Sequence, residues 1–203
     1  MQLNDMSGLA LRGHIKIHDP QSGEIYVNKS NAIHYENISI ALAQSIADSG
    51  KGFIYKMAFG NGGTTVDPTG IITYLSPNST GSNASLYNET YSKVVDDNSS
   101  VNTDPTRNYI ETRHVTGTNY TDVFITCLLD YGEPSGQLAF DNVNSNSNDF
   151  VFDELGLQSF EGEGQTGLLL THVIFHPVQK SLNRLIQIDY TVRIQTLTGL
   201  AGV

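Results

Sequence analysis

Leu185-Ile186-Gln187-Ile188-Asp189-Tyr190-Thr191-Val192-Arg193-Ile194 decides the fold class. Ile186, Ile188, Tyr190, Val192 and Ile194 fall on one parity, and Gln187, Asp189, Thr191 and Arg193 on the other. Period-2 alternation over this length is the signature of a strand with one face on a core. The same alternation stands at the other end of the chain, where Ile15 and Ile17 interleave with His14, Lys16 and His18. There, Asp19-Pro20-Gln21-Ser22-Gly23 is a turn: Pro presets φ and Gly supplies φ > 0. Glu24 to Asn28 then returns as the second arm of a hairpin.

Between these ends, Phe53–Phe59, Thr90–Val95, Tyr109–Val115, Thr121–Leu129 and Phe150–Leu157 also read as strands. Thr116-Gly117-Thr118-Asn119 is a hairpin turn, and Leu168–Phe175 with Leu185–Ile194 is expected to form a closing hairpin through Pro177–Asn183. One helix is predicted, at about residues 36–49, with Ile38, Leu42 and Ile46 as the stripe facing the sheet and Ser49-Gly50-Lys51-Gly52 as its end. The expectation is a mainly β chain, a β-sandwich or flattened barrel with one packed α-helix and long polar loops. Residues 1–203 are expected to form a single domain, with a loop or arm excursion at about 67–104 whose small apolar content predicts an arm mobile in an isolated monomer and ordered against a neighbouring copy or partner.

Composition narrows the function classes. The chain is 38% hydrophobic and only 16% charged, with Asn, Ser, Thr and Gly filling the gap. That favours strands, turns and loops over exposed helices. Net charge is −10 with 11 Lys plus Arg and no basic cluster, which argues against a nucleic-acid surface. No apolar run approaches the length of a membrane span, and Met1 to Asp5 does not begin a signal peptide. The seven Asn-x-Ser/Thr sequons then read as a by-product of composition. Cys127 is the only cysteine; set in the apolar run Val123–Leu129, it is expected to be a small buried hydrophobe in a chain folded under reducing conditions.

The candidate chemistry is weak. Gly60-Asn61-Gly62-Gly63-Thr64 resembles a phosphate loop only in its glycines, since no lysine and no helix follow. His14/His18 and His172/His176 are spaced by four, but on strands that separates them by roughly 13 Å, too far for one metal. The Asp141–Asp149 loop fails the calcium-loop pattern at Val143. No Gly-x-Ser-x-Gly elbow occurs. Asp153-Glu154 and Glu161/Glu163 are read as solvent-facing carboxylates. The residues therefore predict no catalytic site, no cofactor, no metal and no small-molecule substrate.

Three segments carry a resemblance: Ala32–Asn37 leading into the helix, Ile54–Thr64, and Val173–Ser181 leading into Leu185–Val192. Together they resemble small virion structural proteins of tailed bacteriophages, in the neck, tail and fibre-attachment group. The resemblance implies a non-enzymatic protein made in the host cytoplasm and built into the virion. It implies contacts with copies of itself and with other virion proteins, and no nucleic-acid or membrane partner. Decoration of the capsid is the alternative within that class. A carbohydrate-binding, host-recognition module is the alternative outside it, for which the chain offers Tyr but no Trp. The expected contact surfaces are Gly60, Asn61, Gly62, Gly63 and Thr64, the side chains Tyr74, Leu86, Tyr87 and Tyr91, Asn144 and Asn146 in the Asn-rich loop, and the two terminal hairpins.

Overall fold

The structure is a computed structural model that describes residues 8–81, 84–134, 151–181 and 183–197. Its elements in chain order are β1 (Gly8–His18), β2 (Ile25–Ile33), α1 (Tyr35–Ile46), β3 (Ile54–Gly60), β4 (Thr64–Val66), β5 (Ile72–Tyr74), β6 (Glu89–Val94), β7 (Tyr109–His114), β8 (Tyr120–Leu129), β9 (Val151–Ser159), β10 (Thr171–Gln179) and β11 (Ile186–Leu197). Nine strands form one antiparallel sheet in the order β6-β3-β9-β10-β2-β1-β11-β8-β7, and β4 pairs with β5 as a separate ribbon. The described residues are mainly β with a single helix, as the alternation in the sequence predicts.

The sheet curls until its two ends approach. Lys93 on β6, at one end, donates from Nζ to the carbonyl of Leu128 on β8, near the other end, at 2.7 Å. Inside the curl lies one core, drawn from every part of the sheet: Ile15 and Ile17 of β1, Met57 and Phe59 of β3, Phe152, Leu155 and Leu157 of β9, Ile186, Ile188 and Tyr190 of β11. Phe152 joins Phe59 and Phe175 through edge-on ring contacts at 5.6 and 5.5 Å. The half-closed sheet thus supplies both walls of its own core.

The N-terminal hairpin forms as expected. Asp19 Oδ1 accepts from the amides of Gln21 and Ser22, and Gly23 adopts φ 75°. The closing hairpin does not form. β10 pairs with β9 and β2, whereas β11 pairs with β1 and β8. Adjacent runs in sequence imply pairing only when both find their best partners in each other; here the eleven-position ladder of β1 against β11 prevails. Pro177 contributes as well, because it cannot donate to a ladder. The β9–β10 register slips there, with Ile174 opposite Glu154 but Val178 opposite Phe152.

The helix is also docked differently from its predicted stripe. His34 caps it, accepting the Asn37 amide at 3.2 Å, and Asn37 Nδ2 donates to the Leu169 carbonyl at 2.9 Å. The buried face is Asn37 and Ala41, Ile38 packs at the core margin, and Ile46 is 84% exposed. Polar anchoring at the N-terminus fixes the helix, leaving its last turn in solvent.

The 67–104 excursion is not a detached arm in this fold. It contains β5 and β6, the latter paired with β3 as an integral strand of the sheet. Val95 enters the main core, and Leu86 joins Ala58 and Leu169 in a small second cluster on the outer face. The apolar partners expected from a neighbouring copy are supplied by the chain itself.

Candidate functional site

β3 runs out at Gly60, and the chain turns through Asn61, Gly62 and Gly63 into the β4–β5 ribbon. Residues 75–81 and 84–88 return across the outer face of β9 before β6 begins. The turn and the return segment would leave a row of backbone amides without ladder partners. Two adjacent carboxylates on β9 take them up.

Glu154 has no exposed surface. Its Oε1 accepts from the amides of Gly62 at 3.0 Å and Asn88 at 2.8 Å. Its Oε2 accepts from the amide of Tyr87 at 2.9 Å and from Nε2 of His172, on β10, at 3.0 Å. Asp153 accepts from the amides of Gly63 and Thr64, each at 2.9 Å, and from the Thr64 hydroxyl. His172 Nδ1 in turn accepts the Asn78 amide at 2.8 Å, so its proton sits on Nε2 and the ring is a neutral bridge. Asn88 Nδ2 donates to Asn61 Oδ1 at 2.5 Å, joining the turn and the return segment directly.

The electrostatics follow from this wiring. Burial raises the Glu154 pKa, but His172 and the three backbone donors outweigh it and hold the carboxyl below the ordinary glutamate range. Burial also raises Asp153, and there it prevails over the Thr64 and Gly63 hydrogen bonds, with the Glu154 charge adding to the rise. The glycines make the approach possible. A Cβ on Gly60 would stand 2.4 Å from the Asn88 carbonyl oxygen and 2.5 Å from Glu154 Oε1.

A carboxylate bonded to a histidine is also the arrangement of a general acid–base pair. Here both members are sealed from solvent, and both oxygens of Glu154 and both nitrogens of His172 are already engaged with the chain itself. No reacting atom has access. Cys127 is equally enclosed, its thiol pushed up to about 12 by burial. Among the described residues, no three His, Cys, Asp or Glu side chains gather as metal ligands. The chemistry of this cluster is that of a clamp.

What the clamp holds outward is the ribbon. Val66, Ile71, Tyr74 and Leu75 are exposed there, with Tyr87 beside them on the return segment. Tyr74 OH meets His176 Nδ1 at 3.1 Å, and Tyr87 OH donates to the Ser76 carbonyl at 2.7 Å, so both rings are fixed while remaining partly open to solvent.

No family model, curated protein or solved structure matches this chain.

The predicted contact residues divide accordingly. Tyr74 and Tyr87 lie on the surface, at 49% and 44% exposure. Gly60, Asn61 and Gly63 are buried beneath the return segment, and Gly62 and Thr64 are partly covered, so this turn is a tethered interior feature and not a free contact loop. Leu86 is spent in the second cluster, and Tyr91 is half-buried against Phe59. Asn144 and Asn146 lie outside the described residues. Asp153 and Glu154, read from the sequence as solvent-facing, are buried, and His172, read only for its spacing from His176, is buried with them. Their signal was present: the carboxylates are flanked by Phe150-Val151-Phe152 and Leu155, and the histidine by Leu168-Leu169-Leu170 and Val173-Ile174-Phe175, so apolar residues fall on both parities, the mark of a strand covered on both faces.

Proposed function

We propose that this chain is a non-enzymatic structural protein of a tailed-phage virion, joining copies of itself and other virion proteins at the neck or tail. The observation that carries the proposal is the clamp and what it presents. The most heavily buried acidic and imidazole groups of the described chain are committed to backbone amides, and their product is a rigid ribbon with Val66, Ile71, Tyr74 and Leu75 turned to solvent. Exposed apolar side chains gathered on one ribbon suit a subunit that docks. The outermost strands β6 and β7 add two sheet edges to which another chain can pair. The resemblance carried by Ile54–Thr64 and Val173–Ser181 directs this docking surface to a virion.

The test is to detect the chain in purified particles by mass spectrometry and to place the curled nine-stranded sheet in a cryo-electron-microscopy reconstruction. Density at the neck or tail supports the proposal; density on the capsid lattice selects decoration instead. Absence from purified particles overturns the virion role. Reproducible glycan-array binding that disappears on Tyr74→Ala and Tyr87→Ala substitution replaces it with host-surface recognition.

A further inference from the structure

The outer face of β2, β1, β11, β8 and β7 differs from the rest of the molecule. On β1, Arg12, His14 and Lys16 alternate with the buried Ile15 and Ile17, so all three point outward. Arg12 stands directly opposite Arg193 of β11. Arg193 is satisfied: it grips both oxygens of Asp122 at 2.7 Å and lies 3.8 Å over the Tyr120 ring. Arg113 likewise holds Glu111 and covers Phe124 at 4.7 Å. Arg12 and Lys16 on β1 have no such arrangement. Among the described residues Arg12 and Lys16 form no ion pair, and Asp189, opposite Lys16, is taken by His18 at 2.8 Å.

Like charges placed opposite each other across a ladder oppose folding. A face built this way is relieved when an anionic surface arrives from outside. This face holds Arg12, Lys16, Arg113 and Arg193 out of 11 Lys and Arg, but only Glu111, Asp122 and Asp189 out of 21 Asp and Glu. The acidic excess of the chain therefore lies elsewhere on it.

The occupant follows by chemistry. The Tyr120 and Phe124 rings are capped by guanidinium groups, so they offer no open platform for a sugar. A nucleic acid meets a chain of net charge −10. A second copy, by contrast, brings carboxylates in fixed positions. Asp96, Glu161 and Glu163, three carboxylates against the single cation Lys56, line a groove between the start of β3, the end of β6 and the turn after β9, with Asp97 beside it. Among the described residues none of the four is in an ion pair. The groove also carries Phe53, partly exposed and stacked on Phe160 at 5.1 Å, an apolar anchor between the charges. Pairing the cationic face with itself would set cation against cation, which leaves a head-to-tail contact.

We infer that the Arg12–His14–Lys16 strip of one copy docks on the acidic Phe53 groove of the next, lined by Asp96, Glu161 and Glu163. This rests on the assembly reading above and names its self-contact.

Charge exchange tests it. Self-association of the full chain is followed by sedimentation velocity and light scattering, with circular dichroism confirming that each variant folds. Arg12→Glu with Lys16→Glu, and separately Asp97→Lys with Glu163→Lys, should each weaken self-association about tenfold or more. A 1:1 mixture of the two variants should recover it, because each then offers the face the other lacks. Added salt should weaken the wild-type contact as screening rises. A wild-type chain that stays monomeric, variants that associate as well as wild type, or a mixture that fails to recover would each overturn the inference. The virion reading fails separately, by absence of the chain from particles; self-association through other residues in a chain found in particles would refute this contact alone.

Discussion

Oε2 of Glu154 lies 3.0 Å from Nε2 of His172, and neither side chain has any exposed surface. The bond ties β9 to β10 at the place where three loop amides converge on the same carboxylate. Removing one partner leaves the other buried without compensation. Glu154→Ala should cost about 3–5 kcal/mol, with His172→Ala somewhat less because the imidazole is neutral. The double variant should cost less than the sum of the two, since each single change already breaks the shared bond. Urea denaturation of the four proteins measures all of these terms.

The adjacent carboxylates predict opposite pH signatures. Glu154 is lowered in the folded state, so its stabilising contribution is complete above the ordinary glutamate value and is lost as pH falls through the folded value. Asp153 is raised, so a penalty sets in as pH climbs from the ordinary aspartate value to the folded one. Relative to wild type, Glu154→Gln should therefore recover ground as pH falls, and Asp153→Asn should gain ground as pH rises. Stability curves across the acid range that shift both variants in the same direction would contradict the assignment.

Lys93 closes the curl. Its ammonium donates to the Leu128 carbonyl at 2.7 Å and to Glu133 at 2.5 Å, joining β6 to the far end of the sheet. Lys93→Met keeps the apolar stem and removes both bonds, and should cost about 1.5–3 kcal/mol. Thermal unfolding of that variant reads the cost of opening the half-barrel.

Cys127 lies under the same closure, fully buried, with its thiol raised to about 12 by burial. A thiol reagent should label it only at the rate of unfolding, so labelling should speed up in step with denaturant and with Lys93→Met. Fast labelling of the native protein would mean that β8 is misplaced.

The strands were legible where one face is wet. Ile186 to Val192 and Ile15 to Ile17 alternate because their partners alternate between core and solvent, and the structure buries the apolar set. The site was not legible because β9 has no wet face: Leu155 and Leu157 enter the main core while Glu154 and Gly156 lie under the return segment. A rule that places carboxylates in solvent fails where neighbouring loops supply amides. Strand partners were hidden for a different reason. Nothing local in Leu168–Phe175 states that β10 will pair with β9 and β2 instead of with the next strand in sequence; that choice belongs to the ladder of β1 against β11.

The return segment supplies the last prediction. From its composition, the stretch between Asp67 and Asp104 has little apolar area with which to offset the roughly 1–2 kcal/mol per residue that ordering costs. The structure answers with hydrogen bonds to buried charges: the Tyr87 and Asn88 amides end on Glu154, and the Asn78 amide on His172. Amides bound to a buried carboxylate open only when the clamp itself opens, so Tyr87 and Asn88 should exchange nearly as slowly as the β9 core in the isolated subunit. The ribbon tip is held by Asp67 alone, which accepts from the Thr69 and Ile71 amides while exposed, and should exchange fast. A partner docked on the ribbon should then slow the tip and leave Tyr87 and Asn88 unchanged. In Glu154→Ala the Tyr87 and Asn88 amides should accelerate together with Gly62, because one carboxylate held all three. Fast exchange of Tyr87 and Asn88 in the wild-type monomer, slowing only on assembly, would restore the picture of a mobile arm and refute the clamp.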